Sequence, residues 1–346
     1  MILAADQAYL RTRLAILNAK RRDHAELKGL LDHSKDELRE MFGIDRSTSR
    51  EAGLMWLEQS LMQTWLNELS ALLRPLKGGA RDFLVQWARR YELLNLKALI
   101  RGKIGGMSRA EIESSLFDLP GFLTLDHPAL LNTDDVMEML RRLQNTPYRR
   151  LGRFAMSRFE ERQDPFVLEA TLDQQFYGEL ADRVGRLESI DQAPMRELVG
   201  HVLDRHNLVL GLRYRFNYGL QPSEVIYLSI RGGWHLGRDR LREVMNGQSL
   251  DECLFLLPES LNRLLADSEN IVEVEHRLVA DLQARAERDL KTSPSVLASV
   301  YAYLILRYYE LKKTHAIVMA RFNDYPDELL HTALFPTLSS GMGEAA

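Results

Sequence analysis

Several things are scarce in this sequence, and each scarcity removes a class of protein. Among 346 residues there is one cysteine, Cys253. That excludes an internal disulfide and a metal site of several thiolates, and it fits a reducing compartment. No apolar run approaches the roughly 20 residues that span a bilayer. The longest candidate, Val296–Leu306, is too short and is followed by Arg307. The first ten residues lack the basic segment and continuous apolar core of a secretory signal. Neither charge dominates: 45 Lys and Arg stand against 49 Asp and Glu, a formal charge of -4. There is therefore no global electrostatic case for nucleic acid. No alternating run of β-branched and aromatic residues between tight turns reads as a strand.

The signatures of chemistry are missing too. Gly102-Lys103 lacks the upstream glycine and the following Ser or Thr that would cradle phosphate and hold magnesium. Neither a G-x-S-x-G elbow nor an H-E-x-x-H pair occurs. His201 and Asp204 lie one helical turn apart, but His206 points elsewhere on that helix and no other cluster joins them. Cys253 sits in an apolar run and reads as a small core residue. Arg89-Arg90 and Arg141-Arg142 read as solvated helix faces, and the cations and aromatics of Arg213–Tyr218 as a helix end with its cover. No catalytic, cofactor-binding or metal-ligating residue is assigned. On the residues alone, a scaffold or interaction protein outranks an enzyme.

What is present is helix. Hydrophobic residues make up 45% and charged residues 27%, as in a globular protein of two or three units. Periodicities of three and four predict helices within Asp6–Phe42, over Leu54–Leu73, Arg81–Lys103, Phe166–Leu187, Met195–Arg215, Pro258–Leu290 and Ser295–Phe322. Shorter ones are expected at His24–Leu31, Pro128–Leu131, Asp134–Leu143 and Arg240–Met245. Ile44–Gly53 reads as a loop and Leu338–Ala346 as a frayed tail. Ser34 with Glu37, Ser108 with Glu111 and Ser249 with Glu252 have capping-box spacing. The fold class is all-α.

One stretch recurs. Asn95–Ile104 overlays Asn207–Phe216, placing Asn95 on Asn207, Leu96 on Leu208, Arg101 on Arg213 and Lys103 on Arg215. Pro120-Gly121-Phe122 falls on Gly232-Gly233-Trp234 at the same offset. A fainter copy sets Tyr91-Glu92-Leu93 on Tyr309-Glu310-Leu311, Lys103 on Arg321 and Ser108 on Pro326, ahead of Glu328. The small helices that would follow this third copy match the other end of the chain, where Leu30–Leu38 resembles Leu130–Val136. The expectation is three units at about 1–120, 121–235 and 236–346, with the N- and C-terminal segments sharing one. The plainer reading is that a helix, a glycine stop and a capping box suit any helix pair.

The stretch Tyr91–Ile112 resembles the central motif of the C subunit of bacterial and archaeal V/A-type ATPases, the family to which the d subunit of eukaryotic V-ATPases belongs. Pro120-Gly121, Asn145–Tyr148, Asp173 with Phe176-Tyr177, Ile190-Asp191, Asn207 through Arg213, Gly232-Gly233 and Tyr309–Lys312 fit the same pattern, over about Tyr9 to Leu330. Met319 departs from it, standing where Arg101 and Arg213 stand in the other copies, and the N-terminal segment is least like the family. The resemblance implies a funnel of three pseudo-threefold-related units, long helices forming the walls and small helical heads the contacts. It implies a non-catalytic adaptor that sits on the cytoplasmic face of the membrane rotor ring, receives the tip of the central shaft, and couples ATP hydrolysis or synthesis to proton or sodium transport. Its partners would be the rotor-ring proteolipid subunits and the shaft subunits, with no nucleic acid, no cofactor and no membrane span of its own. The candidate contact residues are the helix tips Lys103, Gly105, Gly106 and Arg109, then Tyr218 and Gln221, then Asn323 and Asp324. The alternative is a helical scaffold unrelated to an ATPase.

Overall fold

The computed structural model describes residues 3–123, 125–146, 148–162 and 165–326, with Leu330 and Leu334. The expected tail at 338–346 and Glu328 lie outside these. All regular structure in the described residues is helical. The chain divides into two compact units, one of Met1–Leu76 with His276–Ala346 and one of Lys77–Glu275.

The first unit holds α1 (Ala4–Asn18), α2 (His24–Gly29), α3 (Lys35–Phe42) and α4 (Arg50–Leu73), together with α18 (Val296–Phe322). From Val296 to Arg307, α18 is buried on all faces. This explains why its middle carries small and aromatic residues with no polar stripe. Helix α4 packs along it: Trp65 donates its indole N–H to the Leu304 carbonyl at 3.0 Å. Glu68 accepts both Arg307 nitrogens at 3.1 Å and the Tyr303 hydroxyl at 2.7 Å. Arg307 also pairs with Glu310 at 2.5 Å, so one guanidinium bridges two carboxylates in a hydrogen-bonded cluster. Helix α4 starts four residues earlier than the periodicity predicts, because Ser49 caps it through the Ala52 N–H.

The second unit begins with α5 (Gly78–Ala88) and α6 (Arg90–Ile104), where the sequence predicts one helix. They part at Arg89, whose ψ of -8 bends the chain for one residue. The apolar period runs through the bend, which is why the pattern looks continuous. Arg90 is only 9% exposed and lies over the Trp87 and Tyr91 rings, and Arg89 faces the Tyr148 ring. The expected solvated face is therefore a packed one. Leu94, in turn, is exposed rather than buried.

After α6 come the short helices α7 (Arg109–Ser114), α8 (His127–Leu131) and α9 (Val136–Arg142), followed by α10 (Arg149–Arg162). The sequence reading missed α10, whose basic residues mask a narrow apolar stripe at Leu151 and Ala155. Helix α11 (Pro165–Val184) packs on α5, α6 and α12 (Ser189–Phe216). The second series of short helices is α13 (Pro222–Leu228), α14 (Arg238–Met245), α15 (Leu250–Phe255) and α16 (Glu259–Leu265). The expected helix 258–290 is interrupted after α16. It restarts as α17 (Ile271–Thr292), because Asn270 accepts the Glu273 N–H and the Glu273 carboxylate takes the Glu269 N–H.

The recurrence in sequence has a physical counterpart in side chains that bind backbone. Asn95 on α6 clamps Phe117, accepting its N–H at 2.8 Å and donating to its carbonyl at 2.9 Å. Asn207 on α12 clamps Ile230 in the same way, at 2.9 and 3.0 Å. Lys103 donates to the Leu131 and Thr133 carbonyls at the end of α8, and Arg215 to the Met245 and Gly247 carbonyls at the end of α14. In the first unit α2 and α3 pack on the end of α18, where Leu30, Leu31 and Leu38 share a core with Ile317, Val318 and Phe322. Lys313 takes the place of the clamping asparagine there.

Asn207→Ala removes both partners of a buried amide and carbonyl, and should destabilise its unit by about 2–4 kcal/mol. Native-state hydrogen exchange should then show faster exchange at the Ile230 amide. Unchanged protection at Ile230 would contradict the clamp.

Candidate interaction site at three helix ends

Each of the three long helices α6, α12 and α18 ends in the same local sequence of events. A residue with left-handed backbone stops the helix: Gly106 at φ 66, Gly219 at φ 69 and Asp324 at φ 56. The next N–H turns back to the helix, Met107 to the Gly102 carbonyl at 2.9 Å, Leu220 to Tyr214 at 2.9 Å and Tyr325 to Ala320 at 3.1 Å. This satisfies carbonyls that the last turn leaves free. Gly105, the glycine before Gly106, stays right-handed. Two residues after each stop stands the cap of the following segment. Ser108 and Glu111 form a capping box on α7, and Gln221 and Glu224 one on α13. Hydrogen bonds from Ser108 hold the Glu111 carboxyl below the usual range. In the third copy Pro326 occupies the cap position.

Exposed apolar side chains stand at each of these ends. Ile104 and Met107 are exposed at the first, Phe216 and Tyr218 at the second, Tyr325 at the third. Tyr218 is 62% exposed and stacks on Phe166 with ring centroids 5.1 Å apart. Together with Val167, Leu220, Ser223 and Tyr227 they line an open groove of about 460 Å³. The charged residues at the ends are engaged with neighbouring groups, although Arg101, Arg109 and Asp324 stay exposed. Lys103 is spent on the carbonyls of α8, Arg109 donates to the Asn132 side chain, and Arg101 forks onto Glu169. Asn323 donates to the Met319 carbonyl at 2.7 Å, and Asp324 pairs with Lys35 at 2.7 Å. Of the expected contact residues, Tyr218 presents an apolar ring outward, while Arg109, Gln221 and Asp324 are exposed but hydrogen-bonded or paired. Gly105, Gly106, Gln221, Asn323 and Asp324 shape the turns, and Lys103 and Arg109 tie α6 and α7 to the residues around the end of α8. Ile104, Met107 and Tyr325 fall within the tips expected from the sequence without being singled out there, and Phe216 lies just outside them.

A second set of residues was also missed. Glu92, Asp204 and Glu310 sit at the offsets of the sequence repeat and are all buried. Glu92 accepts the Leu125 N–H at 2.8 Å, Asp204 the Leu236 N–H at 3.0 Å and the His235 N–H at 2.7 Å, and Glu310 the Arg22 N–H at 3.0 Å. Leu125, Leu236 and Arg22 each directly precede the N-cap of a small helix: Asp126, Gly237 and Asp23. Burial pushes the Asp204 carboxyl above its ordinary value, against the pull of the two N–H donors. The Tyr-Glu-Leu match at Tyr91 and Tyr309 carried the signal for two of these acids. Among the described residues no group of His, Cys, Asp and Glu is arranged to hold a metal, and no helix is long and apolar enough to cross a membrane.

The model of the ATP synthase (C/AC39) subunit family covers residues 20–332, and the chain belongs to that family. It is similar to the C subunit of the A-type ATP synthase of Methanosarcina mazei, 22% identical over 340 residues, 96% of this chain and 93% of the relative. The corresponding A-type ATP synthase protein of Methanocaldococcus jannaschii is 22% identical over 95% of this chain and 86% of its own length. That of Haloferax volcanii is 25% identical over 86% and 85%.

The turns make a signed prediction. Gly106→Ala and Gly219→Ala should each destabilise by about 1 kcal/mol, because a Cβ strains a positive φ, while Asp324→Gly should change stability by less than about 0.5 kcal/mol. Denaturant titrations read these differences, and equal effects at all three positions would contradict the shared turn.

Proposed function

We propose that this chain is the non-catalytic central-rotor adaptor of a V/A-type ATPase. It sits on the cytoplasmic face of the rotor ring of proteolipid subunits, receives the central shaft, and transmits rotation between ATP hydrolysis or synthesis and proton or sodium transport. The observation that carries this reading is the set of three helix ends, alike in backbone and in exposed apolar side chains, in a chain of the ATP synthase (C/AC39) subunit family. An adaptor seated on a ring of identical subunits meets the same surface several times over, and repeated tips suit repeated contacts. We assign each tip to one of three pseudo-threefold-related units of a funnel: α6 with α7–α9, α12 with α13–α15, and α18 with α2 and α3. The third unit is then closed by the two ends of the chain, joined where Glu310 holds Arg22. The adaptor is peripheral, and the ion ligands lie on other subunits.

Replacing Met107, Tyr218 and Tyr325 together by Asp puts charge where the ring contact needs apolar surface. In membranes carrying the rest of the complex, ATP hydrolysis should persist while ATP-driven ion pumping falls at least tenfold, and the ring should no longer co-purify with the tagged chain. Recovery of neither ring nor shaft with the unmutated chain would sink the proposal and favour an unrelated helical scaffold.

A further inference from the structure

The small helical heads are alike in build and unlike in one surface position. Each has a second short helix with a side-chain N-cap: Asp135 for α9, Ser249 for α15 and Ser34 for α3. Six residues after the cap stand Arg141, Phe255 and Glu40, and seven after it Arg142, Leu256 and Met41. All six are exposed. One head thus offers two arginines, one a carboxylate and a methionine, and one an aromatic and an aliphatic side chain. Phe255 is 80% exposed, more than any other large apolar side chain among the described residues.

Its backbone is nonetheless held. Cys253 and Leu254 are buried beneath it, Asn262 donates to the Leu254 carbonyl at 2.8 Å, and Pro258 follows the last turn. The ring is therefore fixed outward on a rigid support, as an anchor for a partner would be. The frame around it is acidic. Asp251 lies one helical turn before Phe255, Glu252 beside it, and Glu259 at the start of α16, all exposed. From Leu250 to Asn262 there is no Lys or Arg. The nearest basic residue along the chain, Arg263, pairs with Glu259.

We propose that the Phe255–Leu256 patch is the seat of the central shaft, taking a basic amphipathic helical segment that presents an apolar side chain between Lys or Arg residues. The inference rests on the rotor-adaptor reading. A shaft docked on one of three similar heads must be told which, and the aromatic within an acidic frame is the feature that distinguishes this head. The arginine pair would repel the same basic segment, and Glu40 would leave it without the aromatic anchor, which gives the choice a negative as well as a positive element.

The test uses the purified full-length chain, unmutated and as Phe255→Ala, Phe255→Arg and Asp251→Lys, with Arg141→Ala as a control. Binding to the purified shaft subunits and, separately, to the detergent-solubilised rotor ring is measured by calorimetry, and thermal melting checks folding. Phe255→Ala is expected to weaken shaft binding at least tenfold and Phe255→Arg further. Asp251→Lys should weaken it several-fold and flatten its salt dependence, with ring binding and Arg141→Ala unchanged. Shaft affinity within twofold of the unmutated chain for both Phe255 variants would overturn the assignment. So would a loss confined to ring binding, or a self-association in sedimentation that Phe255→Ala abolishes. If the unmutated chain binds neither shaft nor ring, the adaptor reading fails and takes the inference with it.

Discussion

The small helical heads depend on one buried carboxylate apiece. Helices of five to eight residues are marginal alone, since each must fix several backbone angles before its hydrogen bonds accumulate. Here the backbone N–H just ahead of each head is tied to a long helix by Glu92, Asp204 or Glu310. A buried carboxylate that lost this N–H would be left short of a donor in a desolvated place, so the tie resists breaking. Around it the other parts fall into place. The asparagine clamps fix the loops from Phe117 and Ile230, and the basic hooks of Lys103 and Arg215 seat the ends of α8 and α14.

With the heads so anchored, the long helices can end abruptly. A left-handed residue turns the chain within one step, and the cap two residues later starts a new direction. Backbone groups at these ends satisfy one another, and the nearby charges are engaged with neighbouring helices. Each end also leaves an apolar side chain or two exposed to solvent, or to a partner, beside charged groups that are already paired.

The sequence made the helical class and the long elements legible, because 3.6-residue periodicity survives even where a helix bends, as at Arg89. Of the three capping boxes expected from the sequence, those at Ser34 and Ser108 form, because Ser-x-x-Glu states a local hydrogen-bond exchange. At Ser249 only half of the exchange forms, because the Glu252 carboxylate takes the Gln248 N–H. Long-range pairings were harder. Nothing near Arg89 in sequence says that it will face the Tyr148 ring, and nothing near Glu310 points to Arg22, 288 positions away. Of the candidate tip residues, Lys103 and Arg109 looked available because their carbonyl and amide partners lie on a different helix end. Met107 and Tyr325 looked ordinary because exposure is a property of the turn and not of the residue type.

Whether the three helix ends face one ring is tested most directly by photocrosslinking. The crosslinking residue is placed singly at position 107, 218 or 325, in membranes holding the assembled complex. An adduct with the rotor-ring proteolipid is predicted from all three positions. Adducts only with shaft or other soluble subunits, or none with the ring from any position, would contradict the shared ring contact.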